Sequence, residues 1–179
     1  MTTAAVILAA GGSTRFKDGR KLLVPFRGRP LIGWAVESAV ASGLEVVVIT
    51  GAVDLPLPQG VRVVANPTWR QGQATSLQAA IHACAGCDAI VVGLGDQPLI
   101  LPPTWTAVAS SRAPIAVATY KGRRRNPVRL DRVIWPLLPT TGDEGARTLM
   151  RARPDLVTEV PSAGDSADID TVEDLKRWS

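Results

Sequence analysis

Short apolar runs alternate with amphipathic stretches along the first two thirds of the chain. The apolar runs are nearly continuous, which is typical of strands that are covered on both faces of a sheet. They predict five strands, at 5–9, 45–50, 61–65, 89–94 and 114–119. The stretches between them predict three helices, at 31–42, 75–85 and 103–111. This alternation is typical of a mostly parallel sheet wrapped by helices.

Local signals set the expected helix boundaries. Pro30 suits the first turn of the first helix, and Gly43 is expected to end that helix. Thr75 and Gln78 have the spacing of a capping box, so Thr75 is expected to cap the second helix.

The pattern changes after residue 120. The basic run 121–130 predicts a hairpin or an extended arm, and 131–138 and 143–153 predict helical pieces. A last strand is expected at 156–160 and a last helix at 171–178, with Asp170 as its cap. No repeat or long linker divides the sequence, so we expect one α/β domain over 1–179, a three-layer sandwich with a mostly parallel sheet.

The composition is that of a globular protein and excludes several functional classes. Hydrophobic residues make up 46% of the 179 positions, enough for a core without disulfides. The first apolar run is too short for the core of a secretion signal, and no run is long enough to span a membrane. We therefore expect a cytoplasmic protein that binds no membrane. Two Phe and one Tyr offer no obvious platform for stacked bases, so no nucleic-acid partner is expected.

Positive charge is concentrated in two segments. The net charge is +4, and the excess lies in 15–29 and 121–132. Clustered charge favours a local site for an anionic small molecule, such as a nucleotide or a phosphorylated metabolite.

The two cysteines are interpreted as packing residues. Cys84 and Cys87 follow His82 and look like part of a metal site, but a closed zinc site needs four ligands. The chain has no other Cys or His. We therefore expect two small thiols where a helix ends before a strand. A single histidine also disfavours a Ser-His-Asp or Cys-His catalytic site.

The loop after the first strand has the chemistry of a phosphate site. Ligands of open parallel sheets bind beyond the carboxyl ends of strands. Gly11 and Gly12 allow backbone N–H groups to approach a ligand closely. Positive charge comes from Arg15, Lys17, Arg20 and Lys21. The spacings of the P-loop and of the dinucleotide fingerprint are both absent. A nucleoside triphosphate fits this loop, and a solvated surface loop is the alternative.

Six segments in chain order resemble the nucleotidyltransferases that activate the molybdenum cofactor. "LAAGGSTRF…K", at 8–21, resembles their signature loop. Five further segments resemble the cytidylyltransferase branch of these enzymes: "NPTWRQGQATSLQAA" (66–80), "GDQP" (95–98), "NPVRL" (126–130), "GDEGAR" (142–147) and "DIDTVEDL" (168–175). Together they span essentially the whole chain. The sequence departs from that branch at Arg125-Asn126-Pro127, where Gly-His-Pro is usual.

The resemblance implies a Rossmann-like nucleotidyltransferase with Mg²⁺ as cofactor. It implies transfer of CMP from CTP to the terminal phosphate of molybdopterin or the molybdenum cofactor, with release of pyrophosphate. A molybdoenzyme or its maturation chaperone is the implied recipient of the product. Because of the departure at Asn126, transfer from GTP or another nucleotide to a sugar phosphate or other phosphate monoester stays open. A non-catalytic module that delivers nucleotide or cofactor is a further alternative.

Asp96 is expected to bind the metal, because it follows the strand at 89–94 and lies beside the predicted phosphate loop. Mg²⁺ prefers one or two carboxylates together with phosphates and water. Asp170 is the second expected ligand, which the resemblance also implies, and Asp168 is placed to support it. The alternatives are a turn residue at Asp96 and a helix cap at Asp170.

The remaining site residues are carried over from the matching motifs. The expected catalytic residues are Arg15, Lys21 and Asp96, of which Arg15 and Lys21 would stabilise charge on the transferring group and on pyrophosphate. The expected nucleotide-binding residues are Leu8, Ala9, Ala10, Gly11, Gly12, Ser13, Arg15, Lys21, Gly72, Gln73 and Ser76. The base is expected to meet Ala10, Gly72, Gln73 and Ser76. The expected acceptor-binding residues are Asn126, Pro127, Gly142, Asp143 and Arg147. Gly72 as a turn glycine and Arg147 as a solvated helix residue are the alternatives.

Overall fold

A seven-stranded sheet forms the middle layer of the protein. The computed structural model describes residues 1–11, 20–51 and 53–178. In chain order the strands of this sheet are β1 (Thr3–Ala9), β4 (Glu45–Thr50), β5 (Arg62–Ala65), β6 (Ala89–Leu94), β7 (Ile115–Tyr120), β8 (Arg123–Asp131) and β9 (Val157–Pro161). A separate two-stranded hairpin consists of β2 (Pro25–Phe26) and β3 (Arg29–Pro30). The helices are α1 (Leu31–Ala41), α2 (Gln73–Ala83), α3 (Pro102–Ala109), α4 (Arg147–Ala152) and α5 (Val172–Trp178).

The strands lie in the order β5-β4-β1-β6-β8-β7-β9. β1 pairs in parallel with β4 and with β6, so Ala5 lies between Val46 and Val91. β8 alone runs antiparallel to both of its neighbours, β6 and β7. The predicted fold class is therefore confirmed, since the sheet is mostly parallel and helices cover both of its faces.

Each central strand is apolar along its whole length because successive side chains enter two different cores. Val6 and its neighbours on one face pack with Leu77 of α2 and Leu149 of α4. Ile7 on the other face packs in the core that contains Ile32 of α1 and Trp105 of α3. This arrangement explains why runs without alternation were correctly predicted as strands.

A third, smaller core anchors the C-terminal helix. Ile169 is fully buried with Phe26 of the β2–β3 hairpin, Leu31 of α1 and Leu175 of α5. Its backbone N–H also donates to the carbonyl oxygen of Asp96 at 3.0 Å. The segment on either side of Ile169 is thereby held against the end of β6.

The predicted capping box at Thr75 is wrong. α2 begins two residues earlier, at Gln73, and the Thr75 hydroxyl donates to the Gly72 carbonyl inside the first turn. A distant segment accepts hydrogen bonds from the first N–H groups of α2 instead. Gln73 N donates to Asp143 Oδ1 at 3.3 Å, and Ala74 N donates to the Gly142 carbonyl at 2.9 Å. These acceptors lie far away in sequence, so no local pattern indicated them.

The cap of α5 lies one residue beyond the predicted position. Asp174 N donates to Thr171 Oγ1 at 3.1 Å, and Thr171 N donates to Asp174 Oδ2 at 2.8 Å. Thr171 therefore caps the helix, and Asp170 does not. The Asp170 carboxylate is directed toward another part of the protein.

The basic run after residue 120 completes a hairpin with β7, which was one of the two predicted forms. Lys121 and Gly122 turn the chain with φ of 51° and 75°. The helical piece expected at 131–138 is a 3₁₀ helix at Arg132–Leu137, and the piece expected at 143–153 is the shorter α4. None of the helices in the described ranges is both long and apolar enough to cross a bilayer.

Candidate active site

Lys21 and two aspartates meet beyond the carboxyl ends of β1 and β6. Lys21 Nζ lies 2.6 Å from Asp96 Oδ2 and 2.8 Å from Asp170 Oδ1. The Lys21 side chain is only 11% exposed, while those of Asp96 and Asp170 are 20% and 44% exposed. Three residues that sequence analysis singled out for phosphate and metal chemistry thus form one charged cluster.

The carboxylates keep the lysine protonated. Burial alone would lower the pKa of Lys21, but the Asp96 and Asp170 carboxylates outweigh burial and raise the pKa above its ordinary value. The pKa of the nearby Asp168 carboxyl is raised by burial, and further by the Asp96 carboxylate. The cluster therefore holds a protonated, largely buried ammonium next to carboxylates that are partly exposed to water.

Asp96 has an unused oxygen that fits a metal ion. Within the described part of the chain, Asp96 Oδ1 is buried and has no hydrogen-bond partner. Burying a carboxylate oxygen without a partner is costly, and a hard cation such as Mg²⁺ would satisfy it. The described residues contain no cluster of three His, Cys, Asp or Glu side chains suited to hold a metal. Asp96 and Asp170 could therefore supply only part of a coordination shell, and a bound phosphate and water would have to complete it.

A cavity of about 560 Å³ opens beside this cluster. We name it the nucleotide cavity. Seven of the predicted nucleotide-binding residues line it: Leu8, Ala10, Gly11, Lys21, Gly72, Gln73 and Ser76. The Ala9 side chain packs in the core on the opposite face of the sheet. Gly12, Ser13 and Arg15 lie outside the described residues, so the roles expected for them stay predictions.

Trp69 and Arg70 also line the nucleotide cavity, and sequence analysis missed both as site residues. The Arg70 guanidinium lies 4.7 Å from the centre of the Trp69 ring, a cation–π contact. The available signal was the segment "NPTWRQGQ", which lies within one of the matching motifs. An indole and a guanidinium both offer flat faces on which a nucleobase can stack.

Gly72 acts as a turn glycine and as a cavity residue at the same time. Its φ is 109°, in the left-handed region that favours glycine. A Cβ at this position would lie 2.5 Å from the Gly142 carbonyl oxygen. The absence of a side chain therefore lets the 142–143 segment contact the start of α2.

A second cavity, of about 500 Å³, adjoins the nucleotide cavity and shares Leu8, Gln73 and Leu94 with it. We name it the acceptor cavity. Its apolar lining comes from Leu77, Val92, Val117, Val128, Leu130 and Met150. Its charged lining comes from Arg124, Arg125, Arg147 and Arg151 together with Glu144, which is paired with Arg151. The combination suits a ligand with a flat apolar body and an anionic group.

The predicted acceptor-binding residues divide between the two cavities. Asn126 and Arg147 line the acceptor cavity, and Pro127 is buried beside it in β8. Gly142 and Asp143 accept hydrogen bonds from the first turn of α2, and Asp143 lines the nucleotide cavity, so their role toward the acceptor stays a prediction.

A polar chain with Gln97 buried at its centre connects the acceptor cavity with the acidic segment before α5. Asn126 Nδ2 donates to Gln97 Oε1 at 3.0 Å, and Gln97 Nε2 donates to Asp168 Oδ1 at 2.7 Å. Gln97 is 1% exposed and directly follows Asp96. Sequence analysis did not single out Gln97, although it lies in the matching segment "GDQP".

The cysteines behave as packing residues, as predicted. Cys84 and Cys87 are both free and buried, between the end of α2 and the start of β6. Burial raises the pKa of the Cys84 thiol to about 11, and the neighbouring Cys87 adds to the increase. His82 is exposed and contacts the Gln78 carbonyl within its own helix.

Comparison with known proteins finds matches over most of the chain. Residues 5–157 match the family model described as a MobA-like NTP transferase domain. The chain is 34% identical over 191 residues to the nicotine blue oxidoreductase of Paenarthrobacter nicotinovorans, which covers 96% of this chain and 94% of that protein. It is 37% identical to the bifunctional protein GlmU of Rhodospirillum rubrum over 74% of this chain, but this match spans only 31% of that protein.

Solved structures have the same fold. Rv0371c from Mycobacterium tuberculosis H37Rv superposes with a TM-score of 0.84 at 25% identity, covering 99% of this chain and 97% of that one. A structure of Rv0371c in complex with manganese superposes with a TM-score of 0.81 at 24% identity, covering 99% of this chain and 98% of that one.

Proposed function

The chain belongs to the MobA-like NTP transferase family, and from this premise we propose that it transfers CMP from CTP to the terminal phosphate of molybdopterin or the molybdenum cofactor. Pyrophosphate is the second product, and Mg²⁺ is the cofactor. The observation that carries the proposal is the cluster of Lys21, Asp96 and Asp170, of which Lys21 and Asp96 line the nucleotide cavity that adjoins the acceptor cavity. One cavity has room for a nucleotide, and the other is lined with arginines.

The reaction needs positioning and charge neutralisation more than a general base. A phosphate monoester has its second pKa near about 6, so the acceptor is mostly a dianion at neutral pH. One of its oxygens forms a bond to the α-phosphorus of CTP, and the bond from that phosphorus to the bridging oxygen of pyrophosphate breaks. Lys21 stabilises the charge that moves onto the leaving group, and Arg15 is proposed to share this role. Mg²⁺ held by Asp96 and Asp170 would neutralise the triphosphate.

The choice of CTP rests on the resemblance, and the hydroxyl of Ser76 is compatible with it. Ser76 lines the nucleotide cavity, and its Oγ accepts a hydrogen bond from Asn66 Nδ2 at 3.0 Å. The hydroxyl proton is therefore available to donate. Cytosine presents two acceptors, O2 and N3, on its pairing edge, whereas guanine presents N–H donors at the equivalent positions. GTP is the alternative nucleotide.

The relative named nicotine blue oxidoreductase supports a second candidate, a redox function. Its 34% identity extends over nearly all of both chains. The two candidates differ in a simple respect: a nucleotidyltransferase consumes CTP and releases pyrophosphate without oxidising or reducing its acceptor. A delivery module that binds nucleotide without turnover is a third possibility, and it would release no pyrophosphate.

A nucleotide-by-acceptor panel tests the proposal. CTP, GTP, ATP and UTP are each mixed with Mg²⁺ and with molybdopterin, molybdenum cofactor or a hexose 1-phosphate, and pyrophosphate is measured. We expect release with CTP and a molybdopterin-type acceptor. Release of pyrophosphate only with a hexose 1-phosphate would mean that the acceptor is a sugar phosphate and not molybdopterin. No release with any combination would contradict transferase activity. The proposed recipient of the product is a molybdoenzyme or its maturation chaperone.

A further inference from the structure

The polar chain from Asp168 to Asn126 determines how the Asn126 amide is oriented. Asp168 Oδ1 accepts a hydrogen bond from Gln97 Nε2 at 2.7 Å. Because Gln97 is 1% exposed, its other amide atom also needs a protein partner, and Gln97 Oε1 can only accept. Asn126 supplies the matching donor, Nδ2, at 3.0 Å. Each amide orientation therefore follows from the one before it.

The amide oxygen of Asn126 is left for the acceptor cavity. Asn126 lines that cavity and is only partly buried, and its Nδ2 is used for Gln97. Within the described residues, Asn126 Oδ1 accepts no hydrogen bond. Rotating the amide to present Nδ2 to the cavity would place two oxygens, Asn126 Oδ1 and Gln97 Oε1, against each other inside the protein.

We propose that Asn126 is a specificity-determining residue, which selects an acceptor with an N–H or O–H donor facing its Oδ1. This inference rests on the proposed function, because it describes the acceptor of that reaction. Gln97 is the positioning residue, since it fixes which amide atom Asn126 presents without lining the cavity itself.

The charges around the cavity support this division of roles. Arg125 and Arg147 supply donors for anionic groups of the ligand, whereas Arg124 is paired with Glu159, and Arg151 is paired with Glu144, which also lines the cavity. Asn126 Oδ1 offers the opposite property, because an amide oxygen repels an anionic oxygen. A ligand therefore fits best with its anion at the arginines and with a donor, such as a ring amino group, at Asn126.

Two fluorescent probes test the inference without nucleotide. Pterin-6-carboxylate carries an amino group where lumazine-6-carboxylate carries a carbonyl, and both are anions. Fluorescence titration of the wild type should show about tenfold tighter binding of the pterin, roughly the effect of one matched hydrogen bond. Asn126→Leu should lose this preference. Gln97→Leu should also reduce the preference, because it lets the Asn126 amide rotate.

Gln78→Leu is the matched control for Gln97→Leu. Gln78 Nε2 donates to the Pro139 carbonyl outside both cavities, so its loss should leave the preference at the wild-type value. Thermal unfolding checks that each variant is folded. If Asn126→Leu shows no unfolding transition, the probe preference of Gln97→Leu alone tests the inference.

A wild type that binds both probes equally, or neither, overturns the inference. A preference for the pterin over the lumazine that keeps its wild-type size in Gln97→Leu also overturns it. These outcomes are distinguishable from failure of the proposed function, because pyrophosphate release is measured separately. An enzyme that releases pyrophosphate but does not discriminate between the probes contradicts only the role of Asn126.

Discussion

Replacing Lys21 with Ala should destabilise the protein most strongly when divalent cations are absent. The ammonium lies within 2.8 Å of one carboxylate oxygen on each of Asp96 and Asp170. Without it, two partly buried carboxylates lie close together with no positive charge between them. A divalent cation would replace the lost positive charge, so the defect should shrink when Mg²⁺ is added.

The expected size follows from the exposure of the three side chains. Removing one partner of a buried ion pair costs about 3–5 kcal/mol. The Asp170 side chain is 44% exposed, so water screens that half of the cluster and we expect about 2 kcal/mol. In a domain of this size, about 2 kcal/mol lowers the Tm by about 4–8 °C.

Thermal unfolding followed by circular dichroism, in EDTA and in millimolar MgCl₂, measures this effect. Arg20→Ala is the matched control, because Arg20 is an exposed neighbouring cation. The raised pKa of Lys21 means that its contribution is complete below the ordinary lysine pKa and is lost only as pH rises through the raised value. The difference in Tm between the wild type and Lys21→Ala should thus be equal at pH 7 and pH 9. A Tm within about 1 °C of the wild type in EDTA would refute the reasoning.

Three further results are expected. Asp96→Asn keeps the shape of the side chain but removes its charge. The rate of pyrophosphate release should therefore fall by at least about 10²-fold, while the protein stays folded. Near-normal turnover at low Mg²⁺ would exclude Asp96 as a metal ligand. Gly72→Ala should lower the free energy of unfolding in urea by about 2–3 kcal/mol, because its Cβ would lie 2.5 Å from the Gly142 carbonyl oxygen at a φ of 109°. Gly86→Ala is the control, since a Cβ there meets nothing within 4 Å. Equal stability of the two variants would contradict the reasoning. Because burial raises the pKa of Cys84 to about 11, this thiol should react slowly with a disulfide reagent at pH 8 until urea unfolds the protein, and rapid labelling of the native protein would argue against it.

The central strands were predictable because burial on both faces leaves a continuous apolar run. The hairpin that contains β8 was predicted only as one of two forms, since Arg123, Arg124 and Arg125 are exposed and carry no apolar pattern. β8 pairs with β7 across a short turn, and it pairs with β6 through contacts that are distant in sequence. The start of α2 was misplaced for the same reason, because Asp143 supplies its cap from 70 residues away.

The site was predictable where chemistry follows from position in the fold. A carboxylate beyond the end of a buried strand and cations in a glycine-containing loop predict a phosphate site, and the structure brings Lys21 and Asp96 together there. The contact of Lys21 with Asp96 and Asp170 was not predictable, because it joins positions 75 and 149 residues apart. The orientation of the Asn126 amide depends on two further residues in space and has no counterpart in a linear motif.

The most direct test of the central claim follows the fate of the nucleotide. The protein is incubated with Mg²⁺, molybdopterin and either CTP or GTP, and pyrophosphate and the product mass are measured together. The account predicts one pyrophosphate per CTP consumed, an acceptor heavier by one cytidylyl group, and a higher kcat/KM with CTP than with GTP. Intact CTP and an unmodified acceptor, or a clear preference for GTP, would contradict it.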